Sequence, residues 1–279
     1  MKKHGITFLV FTFNEEKRLD YIMRCIKGHG DIVVIDNFSG DHTCELAKQY
    51  TEKVYQHKNP GYVENEETMT FALSKVETEW VYLTYVDEFI PADLMGILHR
   101  ITRENKYKIV EIYRKNFMYG REIHNYGKHH LRMFTRDAVS FDGNIVHKLG
   151  KRLVPAKAVY QVPVSDRTSI WHFSPYNSSR LELVHNRYAD LEAKQRHEIA
   201  GQRFSGFRAL WKLIFYFFGT YLGLGGFRGG WPGLFISIEI AYFKFSIEAR
   251  LWEYDNGVSV ERMENEYREL KERLLRNDI

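Results

Sequence analysis

Residues 6–16 read ITFLVFTFNEE and residues 31–43 read DIVVIDNFSGDHT, and these two stretches decide the fold class. Each begins with a short, continuous apolar run, which is typical of a strand covered on both faces. Each run ends in a cluster of polar and acidic side chains. Apolar residues recur at helical spacing between the two runs, at Leu19, Ile22, Met23 and Ile26. The alternation predicts a parallel α/β sheet whose ligand lies outside the carboxyl ends of the strands.

The same alternation continues to about residue 100. Residues 53–56 and 79–84 predict a third and a fourth strand, with a helix over 65–75 between them. Shorter β-like runs follow after residue 108, and then come a polar helix over 181–199, an aromatic segment over 204–252 and a last helix over 258–274. We therefore expect a Rossmann-like sheet domain over residues 1–200 and a helical region over 201–279.

The composition excludes several classes of protein. Of the 279 residues, 44% are hydrophobic and 27% are charged, which argues against disorder. A net charge of +4 is too small for a nucleic-acid binder that relies on bulk electrostatics, so no nucleic-acid partner is expected. The only cysteines, Cys25 and Cys44, cannot form a disulfide framework. Lys2 and Lys3 precede an apolar run of only eight residues without a cleavage site, so we interpret this run as a buried strand and expect a cytoplasmic location.

The aromatic segment is the candidate membrane contact. Residues 209–227 as a helix would just reach across ~30 Å of hydrocarbon, but they include a lysine and four glycines, and residues 233–251 include four charges. The sequence favours a hairpin that lies in the interface of an anionic membrane, and leaves open a hairpin packed on its own domain or a true span. The cations expected to contact headgroups are Arg203, Arg208, Lys212 and Arg228.

The polar clusters at the strand ends suggest a nucleotide site. Thr12, Asn14 and Glu15 close the first strand and Asp36 closes the second. A carboxylate at the end of the second strand can accept from a base N–H or a ribose hydroxyl. Asp87 and its neighbour Glu88 follow the fourth strand at the edge of the same crevice, where oxygen ligands can bind a hard cation that bridges phosphates.

In their order and spacing, these segments resemble glycosyltransferase family 2, whose members have the GT-A fold. The matching runs are FTFNEE at 11–16, VVIDNFSGDHT at 33–43 and EWVYLTYVDEFIP at 79–91. Further runs resemble the bacterial branch that adds sugars in lipopolysaccharide core and glycolipid assembly: RMF at 132–134, GNIVHK at 143–148, WHF at 171–173, NRYADLEAK at 186–194 and GGFRGGWPG at 225–233. The resemblance covers nearly the whole chain.

The resemblance implies a metal-dependent, inverting hexosyltransferase. It would move a sugar from a nucleotide donor, with a UDP-sugar expected, to a lipid-linked, lipopolysaccharide or glycolipid acceptor at the cytoplasmic face of the inner membrane, as a peripheral or monotopic protein. The residues that would hold the nucleotide are Thr12, Phe13, Asn14 and Glu15, with Phe13 against the base and Asp36 at the uracil.

The metal and phosphate contacts follow from the same resemblance. Asp87 matches the last carboxylate of the D-x-D motif, which binds Mg²⁺ or Mn²⁺. His172 matches a further metal or phosphate contact, or is a strand histidine satisfied by backbone. Arg132 either meets a phosphate or is an ordinary surface arginine.

The chain departs from the family pattern at two positions. Tyr85 occupies the first D-x-D position, and Lys148 replaces the glutamate that follows a histidine in this branch. The second change removes a candidate general base, and leaves Asp142 and Glu88 as the nearest substitutes. The alternative function is therefore a catalytically weak or inactive nucleotide-binding scaffold in a glycan-assembly complex. A nucleotidyltransferase is less consistent with residues 11–18, which contain no glycine for a phosphate loop.

Overall fold

The computed structural model describes residues 3–123, 127–143, 149–174 and 176–276. The chain divides into two compact units, Met1–Leu181 with Arg228–Pro232 and Glu182–Phe227 with Gly233–Ile279. The division after Leu181 precedes the predicted boundary at residue 200, because most of the polar helix belongs to the second unit.

The secondary structure of the described residues consists of twelve strands and eight α-helices. The strands are β1 (Lys3–Thr12), β2 (Asp31–Asp36), β3 (Val54–Gln56), β4 (Thr78–Tyr85), β5 (Glu88–Phe89), β6 (Ile109–Met118), β7 (Arg121–Glu122), β8 (Lys128–Thr135), β9 (Val139–Ser140), β10 (Lys151–Arg152), β11 (Val159–Gln161) and β12 (Ile170–Phe173). The helices are α1 (Leu19–Ile26), α2 (Thr43–Lys48), α3 (Glu66–Ser74), α4 (Ala92–Glu104), α5 (Ser178–Glu198), α6 (Gly206–Phe218), α7 (Gly230–Asp255) and α8 (Val260–Leu275).

A mixed sheet of ten strands forms the first unit, with the order β3-β2-β1-β4-β8-β6-β12-β5 along its main path. The first four strands of this order are parallel, as the alternation of strands and helices predicts. Strand β8 then runs antiparallel to both β4 and β6. In the parallel part, Thr12 pairs with Asp36 and Phe11 pairs with Tyr85, so the carboxyl ends of three strands lie level with one another.

The sheet is covered on both faces. Ile6, Phe8 and Val10 of β1 share one buried cluster with α1 and α4, whereas Leu9 shares the opposite cluster with α3. Full burial of each such side chain stabilises the unit by roughly 1.5–3 kcal/mol. This two-sided burial explains why β1 is a continuous apolar run rather than an alternating one.

The second unit is helical, and its core includes Ala189 and Ala193 of α5 with Phe243, Ile247 and Leu251 of α7. Within the described residues, no helix combines the length and the apolar character that a membrane crossing requires. Helix α6 ends at Phe218, where a π-helical turn over Gly219–Gly223 begins.

Candidate active site

A hydrogen-bond network joins the ends of β1 and β2. Asp36 is fully buried, and its carboxylate accepts from the Thr12 hydroxyl at 2.9 Å and from the Ser39 amide at 2.9 Å. The Ser39 hydroxyl donates to the same carboxylate at 2.5 Å. Burial raises the pKa of Asp36, but hydrogen bonds from Ser39, Cys44 and Thr12 hold it below its usual value. Asp36 is thus an ionised residue that fixes the strand ends, and its predicted contact with uracil stays a prediction.

The segment after β1 is tied to the segment after β2. Asn14 adopts a left-handed backbone conformation with φ at 54°, which asparagine tolerates better than most residues. Its side-chain carbonyl accepts from the backbone amide of Gly40 at 2.8 Å, and the backbone amide of Asn14 donates to the Ser39 hydroxyl at 2.8 Å. The Phe13 ring lies beside the ring of Tyr62, with 4.8 Å between the centroids. These contacts hold the segments after β1 and β2 together at the strand ends, where the sequence predicts a nucleotide.

Glu15 and Arg18 form a bidentate ion pair next to these segments. Two guanidinium nitrogens of Arg18 donate to the two carboxylate oxygens of Glu15, at 2.7 and 2.5 Å. The positive charge of Arg18 also acts on Asp87. Glu15 therefore positions a cation near the candidate metal site, in addition to its predicted role in nucleotide binding.

Asp87 and His172 come together at the end of the sheet. Asp87 Oδ2 lies 3.4 Å from His172 Nε2, and both side chains are partly exposed. The contact depends on the pairing of β5 with β12, in which the Phe173 amide donates to the Asp87 carbonyl at 2.8 Å. Burial raises the pKa of Asp87, but His172, Arg18 and Arg114 together hold it well below its usual range.

The two side chains of this pair offer a carboxylate oxygen and an imidazole nitrogen as ligands, which fits a divalent cation. His172 Nδ1 lies 2.8 Å from Asn116 Oδ1, an oxygen that can only accept, so Nδ1 carries a proton. His172 Nε2 faces Asp87 Oδ2, so both atoms can bind the same cation when Nε2 carries no proton. No cluster of three or more metal-ligating side chains occurs among the described residues. Two protein ligands still suit Mg²⁺ or Mn²⁺, because such ions complete their shells with substrate phosphates and water.

The structure corrects two sequence-based expectations, because Arg132 and Glu88 form a buried ion pair with each other. Their side chains are 1% and 0% exposed, and Arg132 Nη2 donates to Glu88 Oε1. Arg132 is therefore neither a surface arginine nor accessible to a phosphate of the donor. Glu88 is likewise shielded from an acceptor hydroxyl and does not fit the role of general base.

Asp142, the other candidate base, lies on an exposed turn after β9. Its amide donates to the Ser140 hydroxyl at 3.1 Å, and the Gly143 amide donates to Glu66 Oε2 at 3.0 Å. The turn is thereby tied to the start of α3. His147 and Lys148, where the chain departs from the family pattern, lie outside the described residues.

The sequence analysis does not identify three residues of this region, which are Glu64, Arg114 and Asn116. Tyr85 donates its hydroxyl to Glu64 Oε1 at 2.6 Å. The Arg114 side chain places a further positive charge near Asp87 and Glu88. Glu64 lies in a loop, and Asn116 lies in a strand that mixes polar and apolar residues. Neither periodicity nor a motif distinguishes these two positions. The Arg114 position could have been identified, since a charged residue in a central strand needs a partner or a ligand.

The chain was compared with known proteins. No family model matches it. It is 27% identical to an uncharacterized glycosyltransferase of Rickettsia typhi, over 91% of this chain and 88% of that one. It is 24% identical to another of Rickettsia felis, over 89% of both chains.

Among solved structures, a mannosyltransferase from Pyrobaculum calidifontis in complex with GDP-Man and Mn²⁺ matches 88% of this chain and 86% of its own, with a TM-score of 0.50 and 11% identity. The structural match extends over the sheet and beyond it. The fold of this chain is therefore of the GT-A type.

Proposed function

We propose that this protein is an inverting glycosyltransferase that moves a hexose from a nucleotide-sugar donor, with a UDP-sugar expected, to a lipid-linked or glycolipid acceptor. The observation that carries the proposal is the Asp87–His172 pair at the carboxyl end of a GT-A-type sheet, where D-x-D carboxylates are expected. The names of the Rickettsia relatives as glycosyltransferases support the reaction class.

The donor would lie across the ends of β1, β2 and β4. Phe13 would contact the base, and the ties between Asn14, Ser39 and Gly40 would hold the surrounding segments in place. Asp87 and His172 would hold Mg²⁺ or Mn²⁺ on the diphosphate. When bound, this cation neutralises the charge that develops on the leaving group.

Inversion by direct displacement needs a base within hydrogen-bond reach of the acceptor hydroxyl. Asp142 remains a candidate, because its turn is exposed whereas Glu88 is buried against Arg132. Asp142 would accept the proton of the acceptor as the new glycosidic bond forms and the nucleoside diphosphate leaves.

The second unit offers a surface for membrane association. Six side chains form the apolar face of α6, each of them more than half exposed: Phe207, Leu210, Trp211, Ile214, Phe215 and Phe218. Aromatic and aliphatic residues on one face of a helix are typical of segments that lie in a membrane interface. We therefore propose peripheral or monotopic association with the cytoplasmic face of the inner membrane.

The predicted contacts with anionic headgroups need revision. Arg208 and Lys212 both pair with Glu248, whose side chain is fully buried, and Arg203 pairs with Asp255. Three cations therefore share two carboxylates, so part of their charge is compensated within the helical unit. Association would depend on the apolar face of α6 more than on charge.

Donor hydrolysis tests the enzymatic proposal. The purified full chain is incubated with a panel of UDP- and GDP-sugars and Mn²⁺, and free nucleotide is measured. A transferase should release nucleotide slowly from one donor, and the Asp87→Ala variant should not. Micromolar nucleotide binding without turnover of any donor would contradict the proposal and favour the scaffold, which the replacement of the first D-x-D carboxylate by Tyr85 already suggests.

Vesicle sedimentation tests the membrane proposal. The full chain should bind vesicles with only a weak dependence on salt, and a variant with Phe207→Ser, Trp211→Ser and Phe215→Ser should bind at least tenfold more weakly. Tyr267→Ser with Leu275→Ser on α8 is the matched control, since both side chains are exposed there as well. Equal binding by the two variants would contradict a role for the apolar face of α6.

A further inference from the structure

A tyrosine stands where the D-x-D motif has its first carboxylate, and the structure shows what this tyrosine does. Tyr85 ends β4, and its hydroxyl donates to Glu64 Oε1 at 2.6 Å. The guanidinium of Arg132 lies 4.6 Å from the centre of the Tyr85 ring.

Glu64 lies in the loop between β3 and α3, and this loop is joined to the candidate nucleotide site. Asn59 and Asn37 exchange two hydrogen bonds of 2.7 Å, and Asn37 directly follows Asp36. Tyr62 of the same loop contacts Phe13.

The end of this loop is also fixed. The next residue, Asn65, caps α3 by accepting from the Thr68 amide at 2.8 Å. The backbone next to Glu64 is thus fixed by the cap, and its carboxylate is held by the hydroxyl of Tyr85.

Glu64 lies near the ends of β1 and β4, where the nucleoside of the donor is expected. Its partner Tyr85 pairs with Phe11 of β1, and Tyr62 of its own loop contacts Phe13. A carboxylate has about four acceptor positions, so an oxygen that accepts from Tyr85 can accept from a further hydroxyl as well.

We infer that Glu64 binds the ribose hydroxyls of the donor nucleotide and so replaces the missing first carboxylate of the D-x-D motif, with Tyr85 as its positioning residue. The inference rests on the proposed function, since it requires a nucleotide at the strand ends. Tyr85 and Glu64 then replace the missing carboxylate together. Glu64 of the loop supplies a carboxylate, and the hydroxyl of Tyr85 in β4 donates the hydrogen bond that positions it.

Ribose-modified nucleotides test this inference directly. Calorimetry in the presence of Mn²⁺ gives the affinities of UDP, 2′-deoxy-UDP and 3′-deoxy-UDP, and of GDP with the corresponding deoxy forms. The wild-type chain should bind the ribonucleotide about tenfold more tightly than at least one deoxy form, which corresponds to ~1.4 kcal/mol. In Glu64→Gln this ratio should fall to about twofold or less, mainly because the ribonucleotide binds more weakly.

Two further variants complete the experiment. Tyr85→Phe should reduce the ratio partly, because the carboxylate remains but loses its hydrogen bond. Glu67→Gln, an exposed position on the first turn of α3, is the matched control and should keep the wild-type ratio.

The outcomes separate this inference from the proposed function. A full wild-type ratio in Glu64→Gln, or equal binding of ribo and deoxy forms by the wild-type chain, would overturn the role of Glu64 while nucleotide binding itself stands. Failure of both UDP and GDP to bind the wild-type chain would overturn the proposed function too. Glu64→Gln should also retain the effect of Mn²⁺ on affinity, and loss of that effect would instead assign Glu64 to the metal.

Discussion

Asp87 and His172 face each other across 3.4 Å, although one follows β4 and the other lies in β12. The antiparallel pairing of β5 with β12 creates this contact, because it sets His172 opposite Glu88, next to Asp87. The pair is therefore a product of the sheet topology rather than of a local motif.

The first prediction concerns the carboxylate of this pair. Asp87→Ala should weaken Mn²⁺-dependent donor binding by tenfold or more, or ~1.4 kcal/mol, because it removes the partly exposed carboxylate that lies 3.4 Å from His172 Nε2. Calorimetry with and without Mn²⁺ measures the effect. Asp93→Ala, an exposed position on α4, is the control, and an unchanged metal dependence in Asp87→Ala would refute the assignment.

The second prediction concerns the proton on His172. Asn116→Ala removes the acceptor that keeps the proton on Nδ1 and should lower Mn²⁺ affinity in the presence of UDP by roughly 10–100-fold. Nitrogen NMR of the imidazole should show a changed tautomer population in the variant. If metal affinity falls but the tautomer does not change, Asn116 acts through packing instead.

The third prediction concerns the buried pair of Arg132 and Glu88. Glu88→Ala should lower the free energy of unfolding by roughly 3–5 kcal/mol, because it leaves the Arg132 cation buried without its carboxylate. Replacing both residues, as Glu88→Leu with Arg132→Met, should recover most of this loss. Urea denaturation measures the wild type, Glu88→Ala, the single variants Glu88→Leu and Arg132→Met, and the double variant. A double variant as unstable as the sum of its two single changes would contradict the coupling.

The fourth prediction concerns the general base. Asp142→Asn should lower kcat by roughly 10²–10⁴-fold with little change in the KM for the donor, since the base acts on the acceptor hydroxyl. Asp137→Asn, on the exposed turn between β8 and β9, should retain wild-type kcat. Wild-type turnover by Asp142→Asn would exclude Asp142 as the base.

The fifth prediction concerns pH and the helical unit. Burial raises the pKa of Glu248, but hydrogen bonds from Arg208 and Lys212 bring it below its usual value of 4.5. A carboxylate with a lowered pKa in the folded state stabilises the fold above its unfolded pKa, and this contribution disappears as the pH falls through the folded value. The loss of Tm in Glu248→Gln should therefore be larger at pH 7 than at about pH 3. An equal loss at both pH values would indicate that the ionised carboxylate contributes nothing.

The elements that the sequence predicts well are those with a continuous pattern. The apolar runs of β1 and β2 and the helical spacing of α1 each repeat one local preference several times, so the first half of the sheet follows from them. The position of Asp87 is also predictable, because it follows the buried strand β4 within the run EWVYLTYVDEFIP at 79–91.

The contacts that the sequence does not predict join single residues from distant segments. Glu64 meets Tyr85 across a loop, and Arg132 meets Glu88 across two strands. Arg132 illustrates the physical reason. Its sequence context predicts a phosphate contact or a surface residue, yet β8 lies in the middle of the sheet, where a charged side chain must be paired. Its partner depends on strand order, which periodicity does not encode.

The order of the strands also affects how the protein behaves towards copies of itself. The main path of the ten-stranded sheet ends in β3, with three residues, and in β5, with two, while the long strands lie inside. An outer strand of this length offers few unpaired amide and carbonyl groups to a strand of another molecule. The sheet is therefore poorly suited to growth by edge-to-edge addition, and aggregation through its margins is disfavoured.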